Sequence, residues 1–123
     1  MAVILVVEDD VFIREIAEMM IQDWGHHILS ASDVDEAMLH LRSSQRIDGL
    51  FTDIYLKSAV VGGCELAQQA INLRPGLRVL YTTGNCITDR MKAMFVKGTD
   101  CLRKPYTEYQ LRSSVDHLVG QPN

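Results

Sequence analysis

The stretch from Ile4 to Glu15, ILVVEDDVFIRE, joins an apolar run to consecutive carboxylates and then to a helical pattern. The run that ends before Glu8 is continuously apolar, as expected of a parallel strand covered on both faces. The carboxylates of Glu8, Asp9 and Asp10 repel one another, and a carboxylate in a strand core is costly. The sequence therefore predicts that a buried strand ends just before Glu8 and that a cation relieves the repulsion there.

Composition limits the class of protein. The chain has 123 residues, of which 47% are hydrophobic, enough for one domain, which we place at residues 1–120 with a tail at 121–123. The net charge of −4 gives no reason to expect nucleic-acid binding. We expect no membrane span and no signal peptide, and the odd number of widely spaced cysteines favours reduced thiols and a cytoplasmic protein.

The rest of the chain alternates short β-branched runs with helical patterns. The predicted strands are residues 3–7, 27–31, 49–53, 78–82 and 100–103. Each is followed by a helical pattern, and the fourth of these should end at Gly98. Strict alternation implies right-handed crossovers and an α/β fold, with helices on both faces of a parallel sheet. Ligands of such sheets bind outside the carboxyl ends of the strands.

Local patterns predict where the helices begin and which faces they bury. Ser32 with Asp35, and Thr107 with Gln110, resemble capping boxes. Residues expected to face the core are Ile13, Ile16, Ala17, Met20 and Trp24 in the first helix, Ala37, Met38 and Leu41 in the second, Leu66, Ala67, Ala70 and Leu73 in the third, and Leu111, Val115 and Leu118 in the last.

Chemically useful side chains follow four of the strands. Glu8 and Asp9 come after the first, Asp53 after the third, Thr83 after the fourth and Lys104 after the fifth. Clustered carboxylates raise one another's pKa values, and a hard divalent cation with oxygen ligands, such as Mg²⁺, relieves this. The remaining hydroxyl and ammonium suit a phosphoryl group, with Asp53 as a nucleophile that forms an aspartyl phosphate.

Each of these residues also has an ordinary structural interpretation. Asp9 or Asp10 could cap a helix, Asp53 could form a turn, Thr83 with Gly84 could form an ordinary turn and Lys104 could be a solvated lysine. Their joint placement at one edge of the sheet favours a functional site.

Taken in their order along the chain, these residues and their neighbours resemble the motifs of the receiver domain of two-component response regulators. The matching segments are Val6–Asp9 with Arg14, Thr52–Ile54, Gly63 with Glu65 and Leu66, Thr82–Gly84, and Lys104–Tyr106. The resemblance covers nearly the whole chain. It implies a flavodoxin-like, doubly wound (βα)5 three-layer sandwich whose five-stranded parallel sheet has the order 2-1-3-4-5.

The resemblance also implies a role for each site residue. Asp53 would accept phosphate from a histidine kinase or a phosphotransfer protein, Thr83 would be the switch hydroxyl, and Lys104 would contact the phosphoryl group. The implied ligands of Mg²⁺ are Glu8, Asp9, Asp53 and the backbone carbonyl of Tyr55.

The implied function is signalling by protein contact. A downstream partner would bind the face of the fourth helix, fifth strand and fifth helix, with a homodimer possible and no direct contact with nucleic acid or membrane. The chain would assist its own phosphorylation and dephosphorylation without turning over an external substrate. Met1 just before the first strand favours a free-standing protein over a fragment of a hybrid kinase.

Three alternatives stay open at this point. A degenerate receiver would use the same face constitutively. An aspartyl-phosphate phosphohydrolase usually needs a second acid two residues after the nucleophile, where this chain has Tyr55. A flavodoxin-like cofactor binder would need a phosphate loop where the carboxylates stand.

The sequence departs from the family pattern at several positions. Cys101 stands where the family usually has Tyr or Phe, which leaves two interpretations: the aromatic half of the switch is missing, or Cys101 is a small core residue with no effect on signalling. Lys57 follows Leu56 where a proline is common, and the loop at residues 57–62 is longer than usual. Tyr55 and Asn85 should flank the phosphoryl group, and we expect Tyr55 to shield it from water.

Overall fold

The structure, a computed structural model, describes residues 1–56 and 62–120. Strands and helices alternate along it. Their order is β1 (Val3–Val7), α1 (Val11–Asp23), β2 (His27–Ala31), α2 (Val34–Arg42), β3 (Gly49–Asp53), α3 (Gly62–Leu73), β4 (Arg78–Thr83), α4 (Asp89–Lys92), β5 (Asp100–Arg103) and α5 (Glu108–Leu118).

The described strands form one parallel, five-stranded sheet in the order β2-β1-β3-β4-β5. This confirms the implied fold class. In the register of the sheet, Val7 lies beside Thr52, and Asp53 lies beside Thr82. The residues that follow β1 and β3 therefore emerge at the same edge, where the strand order reverses direction.

A hydrophobic core lies on each face of the sheet, because successive side chains of a strand point to opposite faces. Leu5 and Val7 pack on the side of α2 and α3, whereas Ile4 and Val6 pack on the side of α1 and α5. The interior residues of β1 and β3 are almost completely buried, which explains their continuously apolar sequence. The chain is thus a three-layer sandwich.

The capping box predicted for α5 is confirmed, since the Thr107 hydroxyl accepts from the amide of Gln110 and the Gln110 side chain accepts from the amide of Thr107. The box predicted from Ser32 is wrong by one residue. Asp33 is the N-cap of α2 and accepts from the amide of Glu36 at 2.8 Å. The Glu36 carboxylate reaches back to Ser32 and lies 2.7 Å from its amide nitrogen.

Two residues predicted to face the core do not. Ile16 is 57% exposed and Leu73 is 47% exposed. An α-helix turns by about 100° per residue, so Ile16 falls outside the stripe that Ala17 and Ile21 bury. Leu73 is the last residue of α3, one turn beyond the buried Ala70.

The helix predicted to reach Gly98 is shorter, because α4 ends at Lys92. Beyond it, the amide of Phe95 bonds to the carbonyl of Lys92 at 3.1 Å in a tight turn. The next amide, that of Val96, donates to the hydroxyl of Tyr81 at 2.9 Å. A side chain of the sheet thus takes the amide that a longer helix would use.

The helices in residues 1–56 and 62–120 are too short or too polar for any of them to span a bilayer.

Candidate functional site

The structure brings the predicted carboxylates together at the carboxyl edge of the sheet. Glu8, Asp9 and Asp53 each offer one oxygen, and these oxygens lie within 4.8 Å of one another. Glu8 and Asp53 are buried, whereas Asp9 is half-buried. β1 and β3 are neighbours, so the residues that follow them must converge. Oxygen donors at this spacing fit a hard divalent cation such as Mg²⁺.

Lys104 places its ammonium between two of these carboxylates. Its Nζ donates to Glu8 Oε1 at 2.7 Å and to Asp53 Oδ2 at 2.8 Å. The backbone of Lys104 is held by a hydrogen bond from its amide to the carbonyl of Thr83 at 2.8 Å, which continues the pairing of β5 with β4. The lysine therefore supplies the positive charge that the carboxylates require.

Each of the two buried carboxylates uses its second oxygen for a backbone amide. Glu8 Oε2 accepts from the amide of Asp10 at 3.1 Å, and Asp53 Oδ1 accepts from the amide of Tyr55 at 3.2 Å. Asp10 itself turns its carboxylate to α1, where Oδ1 accepts from the amide of Ile13 at 3.1 Å as the N-cap. The two carboxyl groups are therefore fixed on both sides, and Asp10 serves α1 as its N-cap, one of the ordinary structural roles that the sequence allowed.

The burial of the site changes the acidity of its groups. Burial raises the pKa of Glu8 to about 7, against a partial lowering by the hydrogen bond from Lys104. Burial alone would lower the pKa of Lys104, but hydrogen bonds to Asp53 and Glu8 outweigh it, and the net pKa is raised. The site thus favours the charged form of Lys104 and, through burial, the protonated form of Glu8.

A glycine allows α3 to begin against the acidic edge. A Cβ atom on Gly63 would lie 2.0 Å from the backbone oxygen of Asp53, so any side chain there requires the backbone to move. The amide of Gly63 donates to the carbonyl of Ile54 at 3.0 Å. The glycine that matched the family motif therefore permits a close approach of two backbones.

The other predicted site residues lie around this cluster. Thr83 is completely buried at the end of β4, one residue beyond the predicted strand end, and its hydroxyl accepts from the amide of Asn85 at 3.1 Å. The half-buried Tyr55 packs against the core on the α2 and α3 side. The predictions about Lys57 and the longer loop fall on residues 57–61, outside the described part of the chain.

Arg14 matches the family pattern, but its contacts were not predicted from the sequence. Its Nη1 donates to the backbone carbonyl of Glu8 at 2.9 Å and so ties α1 to the end of β1. Its Nε lies 3.9 Å from a carboxylate oxygen of Glu18, which also accepts from the hydroxyl of Ser30. The signal available in the sequence was an arginine one helical turn into α1, four residues after Asp10.

Residues 4–116 match the family model described as the response regulator receiver domain. The chain belongs to this family. A 29% identical relative from Bacillus subtilis strain 168 is named an uncharacterized transcriptional regulatory protein, YrkP, and the match covers 91% of this chain and 47% of the relative. TcrX of Mycobacterium tuberculosis, a probable transcriptional regulatory protein, is also 29% identical, over 85% of this chain and 44% of its own length. This receiver thus spans about half the length of these curated relatives.

Solved structures show the same fold. A response regulator receiver protein from Sinorhizobium medicae is 26% identical, with a TM-score of 0.87 over 96% of this chain and 94% of the other. Chemotaxis protein CheY4 from Vibrio cholerae is 24% identical, with a TM-score of 0.85 over 96% of this chain and 98% of its own. Receiver domains generally bind Mg²⁺ at an acidic pocket, and this chain has such an acidic cluster.

The raised pKa of Glu8 predicts a pH dependence for Mg²⁺ binding. Below a pH of about 7 the folded protein holds a proton on Glu8, which a cation must displace. Apparent affinity should therefore rise with pH by up to about tenfold per pH unit and level off above the pKa. Isothermal titration calorimetry at several pH values measures this.

In the same titration, Glu8→Gln should bind Mg²⁺ more weakly and lose most of the pH dependence, because residue 8 then has no proton to release. An affinity for the unaltered chain that stays constant on both sides of neutral pH would contradict the proton competition.

Proposed function

We propose that this receiver is a phosphoacceptor in a two-component phosphorelay and that Asp53 accepts the phosphoryl group. The observation that supports this most is the ammonium of Lys104, 2.8 Å from Asp53 Oδ2 and 2.7 Å from Glu8 Oε1. A lysine in this position can neutralise an oxygen of a phosphoryl group carried by Asp53. The carboxylate cluster beside it suits the cation that such a transfer requires.

The proposed transfer starts from a phosphohistidine of a histidine kinase or a phosphotransfer protein. A carboxylate oxygen of Asp53 forms a bond to phosphorus while the bond from phosphorus to nitrogen breaks, and its electron pair returns to the imidazole. Lys104 moves its hydrogen bond from Asp53 to a phosphoryl oxygen. The Thr83 hydroxyl, which accepts from the amide of Asn85, turns to donate to another.

Mg²⁺ would be held by Glu8, Asp9, Asp53 and the backbone carbonyl of Tyr55, and when bound it neutralises charge on the carboxylates and the phosphoryl oxygens. With Mg²⁺ bound, the chain then needs only a donor, because the nucleophile, the lysine and the hydroxyl are its own. We therefore propose that it assists its own phosphorylation and dephosphorylation and is not an enzyme for external substrates. Tyr55 stands where a phosphohydrolase would place its second acid.

An apolar stripe on α1 supports a protein as the phosphodonor. Phe12, Ile16 and Met19 are 80%, 57% and 62% exposed and share one face of the helix. α1 starts directly after the acidic edge, with Asp10 as its N-cap. A donor that packs on the stripe would therefore hold its histidine beside Asp53.

The output we propose is contact with a downstream protein through the face of α4, β5 and α5, in the cytoplasm and without direct binding to nucleic acid or membrane. A homodimer through this face is compatible with the proposal. A constitutive, degenerate receiver is the second candidate, but it would not need the ion pair of Lys104 with Asp53.

Phosphorylation by a small phosphodonor tests the proposed function. Incubation with acetyl phosphate and Mg²⁺ should add one phosphoryl group, stable in acid and labile in base, detected by intact-mass spectrometry. Asp53→Asn should add none, because the amide is not a nucleophile. Asp10→Asn, a nearby substitution at the helix cap, should retain the modification.

A modification that persists in Asp53→Asn would contradict Asp53 as the acceptor. If the unaltered chain gains no phosphoryl group and binds no Mg²⁺, the degenerate receiver replaces the proposal.

Loss of the α1 stripe should slow transfer from a protein but not from a small molecule. For the double variant Phe12→Ala with Ile16→Ala, we expect transfer from the fastest histidine kinase in a panel to fall at least about tenfold, as removal of an interface anchor does. The rate with acetyl phosphate should be unchanged. Leu39→Ala on α2, whose side chain is 70% exposed, is the matched control.

If the rates of phosphoryl transfer from the kinase and from acetyl phosphate fall equally, the substitutions have damaged the acidic site. An unchanged kinase rate would exclude the stripe as the docking surface.

A further inference from the structure

Tyr81 is a buried aromatic residue that the proposed phosphotransfer does not use. Its side chain is 0% exposed on β4, two residues before Thr83. Its hydroxyl accepts from the amide of Val96 at 2.9 Å. Its ring stacks on that of Phe95, with centroids 4.4 Å apart and planes 24° from parallel. A hydrogen bond and a ring contact thus join one side chain of the sheet to two consecutive residues after α4.

Tyr81 also lies beside the residue that departs from the family pattern. Cys101 pairs with Tyr81 in the register of β4 and β5, so the two side chains point to the same face of the sheet. Cys101 is half-buried and packs against the same core. Because the thiol of Cys101 fills little space, the aromatic ring in this part of the core comes from Tyr81 on β4.

The segment at residues 93–99 contacts the sheet through this attachment. It connects α4 to β5 through turns rather than a helix, with bonds such as Met94 amide to Met91 carbonyl at 3.0 Å. Outside it lies an open groove of about 350 Å³, whose wall includes Phe95, Val96 and Lys97. The contacts of Tyr81 therefore help to set the shape of one wall of the groove.

Tyr81 and Thr83 are two residues apart on one strand, so their side chains project from the same face. Thr83 is the residue whose hydroxyl would turn toward the phosphoryl group. A shift of the end of β4 would therefore reach Val96 and Phe95 through Tyr81 without any movement of residue 101.

We propose that Tyr81 is a positioning residue that couples the phosphoacceptor end of β4 to the segment at residues 93–99. The inference rests on the proposed function, because the movement it transmits begins with phosphorylation of Asp53. In this proposal, Tyr81 on β4 supplies the aromatic ring that the family usually carries on β5, at the position of Cys101.

Tyr81→Phe tests the hydrogen bond, because it removes the hydroxyl and keeps the ring that stacks on Phe95. In the unphosphorylated chain, hydrogen exchange of the Val96 amide, followed by NMR, should accelerate at least about tenfold. Tyr109→Phe removes the hydroxyl of a residue on α5 that is 81% exposed and should change nothing. An unchanged exchange rate at Val96 in Tyr81→Phe would show that the hydroxyl of Tyr81 does not hold this amide, and it would overturn the proposal. This result does not depend on whether Asp53 accepts a phosphoryl group.

The coupling is tested by the same amides after treatment with acetyl phosphate and Mg²⁺. In the unaltered chain, the resonances of Phe95 and Val96 should move on phosphorylation. In Tyr81→Phe their movement should shrink at least about twofold, although the extent of Asp53 phosphorylation by mass is the same. A response of equal size in a fully phosphorylated Tyr81→Phe would overturn the proposal. If the unaltered chain takes no phosphoryl group, the proposed function fails, and the coupling that rests on it fails with it.

Discussion

The pair of ion pairs that Lys104 forms with Glu8 and Asp53 is the interaction that allows two carboxylates to be buried together at the edge of the sheet. Both carboxylates are almost fully buried, at 4% and 5% exposure, and a buried charge without a partner costs several kcal/mol. Each carboxylate also accepts from a backbone amide, so neither depends on the lysine alone. The remaining excess of negative charge, with Asp9 at the rim, is what makes the edge suited to a divalent cation.

The sheet produces this arrangement by topology. β1 and β3 are neighbours, so the residues that follow them meet, while β4 and β5 bring Thr83 and Lys104 to the same edge. Gly63 lets α3 start against the backbone of Asp53. Tyr81 and Arg14 tie flanking segments to the strands that carry the site. The strands thus hold the residues of the site, and these hydrogen bonds attach the flanking segments to the same strands.

The alternation of strands and helices, the buried strands and the site carboxylates could be predicted from the sequence, because each has a local periodicity or a position at a strand end. What escaped prediction depends on contacts distant in sequence. Beyond the end of α4, the amide of Val96 donates to the hydroxyl of Tyr81, a residue of the sheet. The exposure of Ile16 depends on which face of α1 packs against the sheet. The lysine was predicted to contact phosphate, but its bridge between Glu8 and Asp53 could not be predicted, because it joins residues that are 96 and 51 positions apart in the sequence.

The stability of Lys104→Met with and without Mg²⁺ tests the central claim most directly. The free energy of unfolding in urea is measured at a pH above the pKa of Glu8, about 7, so that the carboxylates are charged. Without Mg²⁺ the variant should be less stable than the unaltered chain by about 2 kcal/mol, and saturating Mg²⁺ should restore most of that loss. Equal stability without the metal, or a loss that the metal leaves unchanged, would contradict the account.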